Sequence, residues 1–329
     1  MTDFEADIAA RQARLAKVYV STPKVKEAIK LIDDVRTGEN RPSGGVMCGV
    51  ITADSGWGKS MILDRYAARA DAQPDGVRLP VVKFKMPPRF SFPALAVAAL
   101  KAVGAKPFPR KETFDDMWER FAHYLKEKQT EVILIDESNH LVDRKSRQAV
   151  IPYSATDVFK SDILDEAKVP IIFAGLPVTL EMFQMNPQLE SRRHDTVSIV
   201  AYDADDVSSW QRFKVLIMAF EIASGFGNAV LSEDDGLLRR LHVATNGGNH
   251  NAVYKLLVEA TGVAVRRQSK GFNQDVLATA AAKRADLRNK DWVNPFTVDN
   301  LSQIARMPDE SRVTTLHKKS GRKLLGARK

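Results

Sequence analysis

The clearest chemical signature in the sequence is a glycine loop at positions 53–60, which reads Ala-Asp-Ser-Gly-Trp-Gly-Lys-Ser. An apolar stretch, VMCGVIT, leads directly into this loop, and a helix-like stretch, MILDRYAARA, follows it. A strand, a glycine loop and a helix in this order predict a phosphate-binding loop, because glycines let backbone N–H groups turn towards phosphate oxygens and the helix N-terminus adds its dipole. The residues predicted to bind the nucleotide are Asp54, Ser55, Gly56, Trp57, Gly58, Lys59 and Ser60.

Two side chains of this loop have separate predicted tasks. Lys59 would reach the β- and γ-phosphates of ATP, and the hydroxyl of Ser60 would bind Mg²⁺. Ala53 stands where such a loop usually begins with glycine, so the pattern departs at one position. For the loop taken by itself, the competing interpretation is an ordinary glycine-rich turn.

Downstream, an apolar stretch ends in two adjacent acids, Asp136 and Glu137, in the sequence EVILIDE. Burying a carboxylate at the end of a strand is costly unless the carboxylate is paired or binds a cation. We predict that Asp136 binds Mg²⁺ through water and that Glu137 polarises the water that attacks the γ-phosphate. Taken alone, the two acids could instead cap a helix.

A pair of arginines, Arg192 and Arg193, follows in the sequence NPQLESRR, between the fourth and fifth predicted strands. In nucleotide hydrolysis by P-loop proteins, an arginine from a neighbouring subunit often stabilises charge on the γ-phosphate. We predict that one of the two is such an arginine finger, and the sequence does not choose between them. The competing interpretation is a surface pair that bonds Glu190 or the last carbonyls of the preceding helix.

Short apolar stretches alternate with longer amphipathic segments through the middle of the chain, which predicts a parallel α/β sheet with crossover helices. The predicted strands are 46–52, 81–85, 132–135, 171–174 and 197–200. A helix is expected over residues 1–22, and a second over 24–35 after the N-cap pair Ser21-Thr22 and Pro23. From residue 206 onward the apolar residues recur at helical spacing. Helices are predicted there at 207–223, 235–244, 250–266 and 274–285.

Composition restricts the class of protein further. The chain has 329 residues, 44% hydrophobic and 27% charged, as expected for a globular protein of about two folding units. A single cysteine, Cys48, excludes an internal disulfide. No apolar run approaches the roughly 18 residues of a membrane span, and the first residues contain no leader-like apolar segment, so we expect a cytoplasmic protein without a membrane partner.

The net charge of +8 is concentrated at the C-terminus, where residues 312–329 carry seven basic side chains and no acid. Such a tail suits a polyanion or an acidic partner surface. A solvated tail that merely aids solubility is the competing interpretation. The domains predicted from these patterns are an N-terminal helical segment (1–44), a nucleotide-binding core (45–205), a helical lid (206–290) and a basic tail (291–329).

The chain resembles the AAA+ ATPases. The resemblance is carried, in this order, by the glycine loop, ILIDE, VPIIFAGLP, the arginine pair and the helical lid. More narrowly, the chain resembles the TniB/TnsC group of transposition regulators over about residues 15–270. The narrower resemblance is carried by VYVSTPKVKEAI, DESNHL, QLESRRH, WQRFKVLI and TNGGNHNAVYKLLVEA. It implies a P-loop NTPase with a parallel five-stranded sheet and a helical lid subdomain.

The resemblance also implies a function. Such proteins form ATP-dependent rings or helical filaments on double-stranded DNA and link a target-selection protein of the TniQ type to the transposase. Related rings line their pore with the stretch after the second strand, where phosphate contacts would not depend on base sequence. The predicted DNA contacts are Arg89, Lys101, Lys106, Arg110 and Lys111. Solvated surface side chains are the alternative for this set.

Two further departures from the AAA+ pattern predict slow hydrolysis. Many of these proteins have a polar sensor residue at the end of the fourth strand, where this chain has Ala174-Gly175-Leu176. Many also have a sensor arginine in the lid, where this chain has His250 and Asn251. Two other functions remain open at this point: a helicase loader or replication-initiation ATPase, and a signalling or scaffold protein that binds ATP without hydrolysing it.

Overall fold

The computed structural model of the protein describes residues 3–38, 45–70, 78–106, 112–142, 157–227, 230–285 and 292–301. These residues form two compact units. The α/β unit comprises Ser21–Val200, and the helical unit combines the stretch up to Val20 with the stretch from Ala201 onward. This partition divides the predicted N-terminal segment, residues 1–44, between the two units. The predicted DNA contacts Arg110 and Lys111, and the basic tail beyond residue 301, lie outside the described residues.

In the described part of the α/β unit, five strands form one parallel sheet in the order β2-β3-β4-β1-β5, which confirms the predicted sheet. The strands are β1 (Cys48–Ala53), β2 (Val81–Lys85), β3 (Val132–Asp136), β4 (Ile171–Gly175) and β5 (Arg193–Ile199). Strands β1, β3 and β4 are buried along their whole length, as expected where helices cover both faces of a parallel sheet. Parallel pairing brings all strand ends to one side, here called the carboxyl edge, and all strand starts to the opposite amino edge.

Helices connect these strands. They are α2 (Pro23–Thr37), α3 (Lys59–Ala70), α4 (Phe92–Ala102), α5 (Phe114–Glu127), α6 (Glu181–Met185) and α7 (Pro187–Glu190). Helix α2 begins as predicted, because the Thr22 hydroxyl accepts a hydrogen bond from the Val25 N–H and Pro23 occupies the first turn. Helix α2 packs against β1 and β5, while α4 and α5 pack against each other beside β2.

Three short elements that the sequence did not predict complete the α/β unit. They are a first 3₁₀ turn (Ser138–Leu141), a π-helix (Phe159–Ala167) and a second 3₁₀ turn (Pro177–Leu180). The π-helix is fixed by aromatic packing, because the Phe159 ring lies 5.9 Å from Trp118 and 5.6 Å from Phe173, centroid to centroid. Both 3₁₀ turns follow strands directly and therefore lie at the carboxyl edge.

The helical unit contains α1 (Asp3–Leu15), α8 (Val207–Ser224), α9 (Val230–Glu233), α10 (Asp235–Ala244), α11 (His250–Arg266) and α12 (Gln274–Arg284). Helix α1 packs against α8 and α11 and buries Ile8 and Leu15. Arg11 also donates from Nη1 to the carbonyl of Ser224 at 2.8 Å, at the end of α8. Among the described helices, none has both the length and the hydrophobicity needed to cross a bilayer.

Candidate nucleotide site

The glycine loop connects β1 to α3 at the carboxyl edge. Gly56 and Gly58 have φ angles of 82° and 87°, a left-handed conformation that residues with a Cβ adopt only under strain. Ala53, by contrast, is the last residue of β1 and pairs with Ile199 of β5 in extended backbone. The departure from glycine at this position therefore costs the loop nothing in backbone conformation.

Lys59 holds the loop closed from within. Its side chain is only 7% exposed, and Nζ donates to the carbonyl oxygens of Ala53 at 2.7 Å and Asp54 at 3.0 Å. Burial lowers the pKa of Lys59, while the negative charges of Glu137, Asp136 and Asp54 act in the opposite direction. The ammonium group thus lies in the field of Asp136 and Glu137, at the end of β3, and is bonded to the first two carbonyls of the glycine loop.

Asp136 ends β3 and is fully buried. One carboxylate oxygen, Oδ1, accepts a hydrogen bond from the Glu137 N–H at 2.9 Å, whereas Oδ2 has no hydrogen-bond partner. A buried carboxylate oxygen without a donor is costly, and a cation supplies what it lacks. The carboxylate of Asp136 therefore fits a Mg²⁺ ion. No cluster of three or more His, Cys, Asp or Glu side chains lies within the described residues, so such an ion would rely on hydroxyl, phosphate and water oxygens as well.

Glu137 follows Asp136 in a left-handed conformation, with φ of 56°. This backbone region is uncommon for residues other than glycine and concentrates at functional sites. The Glu137 carbonyl accepts a hydrogen bond from the His140 N–H at 3.0 Å, which begins the first 3₁₀ turn. Its partly buried carboxylate has no hydrogen bond to any described residue.

The structure places Arg192 and Arg193 at the amino edge. Arg193 is the first residue of β5 and pairs with Cys48, the first residue of β1. The glycine loop begins where β1 ends, so roughly 16 Å of strand separates the two sites. Neither arginine can reach the glycine loop of its own α/β unit.

Each arginine has its own acidic partner. Arg192 donates from Nη2 to Asp165 of the π-helix at 2.7 Å. Arg193 binds both carboxylate oxygens of Glu190 and also donates to the Thr196 hydroxyl at 2.8 Å. Within one subunit Arg193 therefore makes the contact that the competing interpretation describes, and the two arginines are held independently.

The three predicted DNA contacts that the structure describes, Arg89, Lys101 and Lys106, are not brought together. Arg89 is exposed in the loop between β2 and α4, whereas Lys101 lies in the last turn of α4 and Lys106 follows that helix. An 11-residue helix separates these positions, a distance of about 15 Å. Of these three described residues, only Arg89 lies near the carboxyl edge, where the N–H of Met86 donates to the carbonyl of Asp136 at 2.8 Å.

In the helical unit, His250 begins α11 and packs against Tyr202. The Tyr202 hydroxyl and His250 Nε2 are 3.0 Å apart, and burial lowers the pKa of His250 to about 4. Asn251 is exposed. His250 is therefore a neutral packing residue at pH 7. It does not supply the positive charge that a sensor arginine would carry.

Sequence reasoning missed Asn139. Its side-chain Oδ1 accepts a hydrogen bond from the Leu176 N–H at 3.1 Å, so the first 3₁₀ turn is tied to the end of β4. The polar residue itself was visible in DESNHL. Its contact with β4 was not, because that contact depends on which strands are neighbours.

Comparisons with known proteins agree with this architecture. A family model described as "Bacterial TniB protein" matches residues 14–201, more than half of the chain. No curated protein gives a significant match. Several solved structures do.

Three similar structures, each below 25% identity, share the fold. The Aeropyrum pernix ORC1 protein in complex with DNA has a TM-score of 0.57 and 17% identity, over 83% of this chain and 69% of that chain. The A. pernix ORC2 protein in ADPNP-ADP complexes has a TM-score of 0.55 and 12% identity, over 84% and 71%. Drosophila ORC bound to DNA has a TM-score of 0.55 and 14% identity, over 86% and 67%.

Proposed function

The chain belongs to the TniB family and has the fold of the AAA+ ATPases, and we propose that it is an ATP-dependent, oligomeric DNA-binding regulator of transposition. The observation that carries this proposal is the pairing of the glycine loop with the buried, unpartnered oxygen of Asp136. Strands β1 and β3 are separated only by β4, so loop and acid face each other across about 10 Å of the carboxyl edge.

Each part of the site has a task in ATP hydrolysis. The backbone N–H groups of the loop and the ammonium of Lys59 hold the β- and γ-phosphates, with Lys59 exchanging two carbonyl partners for charged oxygens. Ser60 and Asp136 would hold Mg²⁺, which when bound neutralises phosphate charge. The Glu137 carboxylate orients the attacking water and accepts its hydrogen bond.

The arginine finger is proposed to act between subunits. Because Arg192 and Arg193 lie at the amino edge and the glycine loop lies at the carboxyl edge, an arginine could contact a nucleotide only on a neighbouring copy. Head-to-tail contacts of this kind generate rings or helical filaments. Assembly would then depend on bound ATP, and slow hydrolysis would time disassembly.

Double-stranded DNA is the proposed template for this assembly. Two of the structures that share the fold, A. pernix ORC1 and Drosophila ORC, were solved with DNA, and the ORC2 protein was solved with ADPNP and ADP. The family resemblance supplies the remaining partners, a transposase and a target-selection protein of the TniQ type. A replication-initiation or helicase-loading ATPase is the second candidate, because the likeness to the DNA-bound ORC structures fits it equally well.

The proposal is tested by comparing the wild-type protein with Lys59→Ala and a control, Lys30→Ala, whose exposed lysine pairs with Asp34 on α2. We expect the wild-type protein and the control to bind ATP, hydrolyse it and assemble on duplex DNA only with ATP, whereas Lys59→Ala should do none of these. Normal ATP affinity in Lys59→Ala would reject the loop assignment. Capture of a helicase rather than a transposase from the same cells would favour the second candidate.

A further inference from the structure

The end of β4 lies at the centre of the proposed site yet carries no polar side chain of its own. Gly175, the last residue of β4, pairs with Thr52 of β1, just before the glycine loop. On its other side β4 pairs with β3, which ends in Asp136. Any polar group held over Gly175 therefore lies between the phosphate-binding loop and the two acids.

Gly175 leaves room there for a side chain from a neighbouring strand connection. Its φ angle is not in the left-handed region, so its backbone conformation does not require glycine. A Cβ at this position would instead lie 2.9 Å from Asn139 N and 3.0 Å from Asn139 Oδ1, and it would collide with Thr179 Oγ1. The absence of a side chain is what lets the first 3₁₀ turn close over the end of β4.

The Asn139 amide is oriented by this contact. Because Oδ1 accepts from the Leu176 N–H at 3.1 Å, the two N–H bonds of Nδ2 are left as donors. Nδ2 has no hydrogen bond to any described residue, and the side chain is partly exposed. Beneath it the Thr179 hydroxyl is fully buried and also unpartnered.

We propose that Asn139 supplies the polar group that the end of β4 lacks, by donating from Nδ2 to an oxygen of the γ-phosphate. The inference rests on the proposed function and adds a residue to the same site. A fixed donor beside the phosphate strengthens as negative charge develops in the transition state, which lowers the barrier. It also distinguishes ATP from ADP, because ADP has no γ-phosphate to accept the bond.

Asn139→Asp is the decisive variant, because its carboxylate still accepts from Leu176 but presents an anion in place of the Nδ2 donors. We expect kcat for ATP hydrolysis to fall about 100-fold. The preference for a non-hydrolysable ATP analogue over ADP should disappear, while the Tm of the nucleotide-free protein should match the wild type. Asn139→Ala should show a similar fall in kcat and a lower Tm. The control, His140→Ala at the next position, should behave as the wild-type protein.

The two roles of Asn139 give opposite results. If Asn139 only anchors Leu176, Asn139→Asp keeps the wild-type kcat and nucleotide preference, and only Asn139→Ala is impaired; that result overturns the inference. The ratio of the affinity for the ATP analogue to the affinity for ADP also separates this inference from the proposed function. A wild-type protein that binds ATP without hydrolysing it would contradict the ATPase assignment, while the ratio measured on Asn139→Asp would still decide whether Asn139 contacts the γ-phosphate.

Discussion

Arg192 and Asp165 form a salt bridge, with 2.7 Å between guanidinium Nη2 and carboxylate Oδ1. The bridge joins the residue before β5 to the π-helix, whereas the adjacent Arg193 binds Glu190. Both bridges are partly exposed, and such pairs typically contribute no more than about 1 kcal/mol to the free energy of unfolding. Removing either arginine should therefore leave the subunit folded, so its effect on activity can be measured cleanly.

We predict that Arg192→Ala or Arg193→Ala lowers ATP hydrolysis about 1,000-fold, the smaller end of the range for an arginine finger. ATP binding by the separate subunits should not change. Mixing the inactive arginine variant with Lys59→Ala subunits should restore part of the activity, because each subunit supplies the group that the other lacks. Arg239→Ala, which removes a comparable exposed bridge to Asp235 in the helical unit, is the matched control. Absence of rescue in mixtures shown to co-assemble would argue against a role in trans.

Glu137→Gln should keep ATP bound while hydrolysis falls at least about 100-fold, because the amide cannot accept a proton from the attacking water. Assemblies on DNA should then persist, which single-turnover phosphate release and retained nucleotide would both report. Glu131→Gln, at the residue just before the same strand, is the control. Glu131 binds Arg36 and Arg78, so its loss should lower the Tm without trapping ATP. Phosphate release at the wild-type rate would remove Glu137 from the mechanism.

DNA contact is predicted at Arg89 rather than at Lys101. Arg89 follows a strand end that is hydrogen-bonded to Asp136, so nucleotide can influence its position, whereas Lys101 lies at the far end of α4. Arg89→Ala should reduce the slope of log affinity against log salt by about 0.9 per bound subunit, and Lys101→Ala should not. Titrations of random-sequence duplex DNA at several salt concentrations measure both slopes. If Lys101→Ala reduced the slope and Arg89→Ala did not, the DNA contact would lie at the C-terminal end of α4.

Deleting the C-terminal tail tests the position of the DNA contact independently, in the same salt titrations. We predict that deleting residues 312–329 leaves the salt slope nearly unchanged and weakens recruitment of the transposase or the target-selection protein. If the deletion removes most of the slope, the tail is the principal DNA contact and the assignment of Arg89 is wrong.

His250 predicts a loss of stability in acid. Its folded pKa of about 4 lies below the usual value of 6.5, so the unfolded chain binds the proton more readily. The free energy of unfolding should therefore fall as the pH drops below 6.5 and should stop falling for this reason near pH 4. His250→Gln should reduce the slope in that window by up to about 1.4 kcal/mol per pH unit. Equal slopes for the wild-type protein and His250→Gln would contradict the assignment.

Local sequence was enough to predict four strands, the glycine loop and the acidic pair, because each is specified by a run of adjacent residues. The fifth strand was predicted at 197–200 but begins at Arg193, so Arg193 is part of β5 and does not precede it. The helices at 235–244 and 250–266 were predicted at the boundaries observed. Strand order was not available in this way, since it depends on contacts between distant segments. For the same reason the sequence grouped Arg89 with Lys101, which α4 separates, and gave Asn139 no role.

The π-helix shows a different limit. Its hydrogen bonds do not follow from residue preferences, and its geometry is set by the packing of Phe159 against Trp118 and Phe173. Asp165 therefore meets Arg192 through tertiary structure alone. The roles of the glycine loop, the acids and the arginine pair remain predictions for the experiments above.

The discontinuity of the helical unit determines which fragments of this protein can be studied separately. A fragment that starts at the predicted lid boundary, residue 206, lacks α1 and leaves uncovered the surfaces of α8 and α11 on which Ile8 and Leu15 are buried. Such a fragment should aggregate. Ser21–Val200, in contrast, is one continuous stretch between the two halves of the helical unit, so we expect it to fold by itself. Joining residue 20 to residue 201 through a flexible linker should yield the helical unit without it.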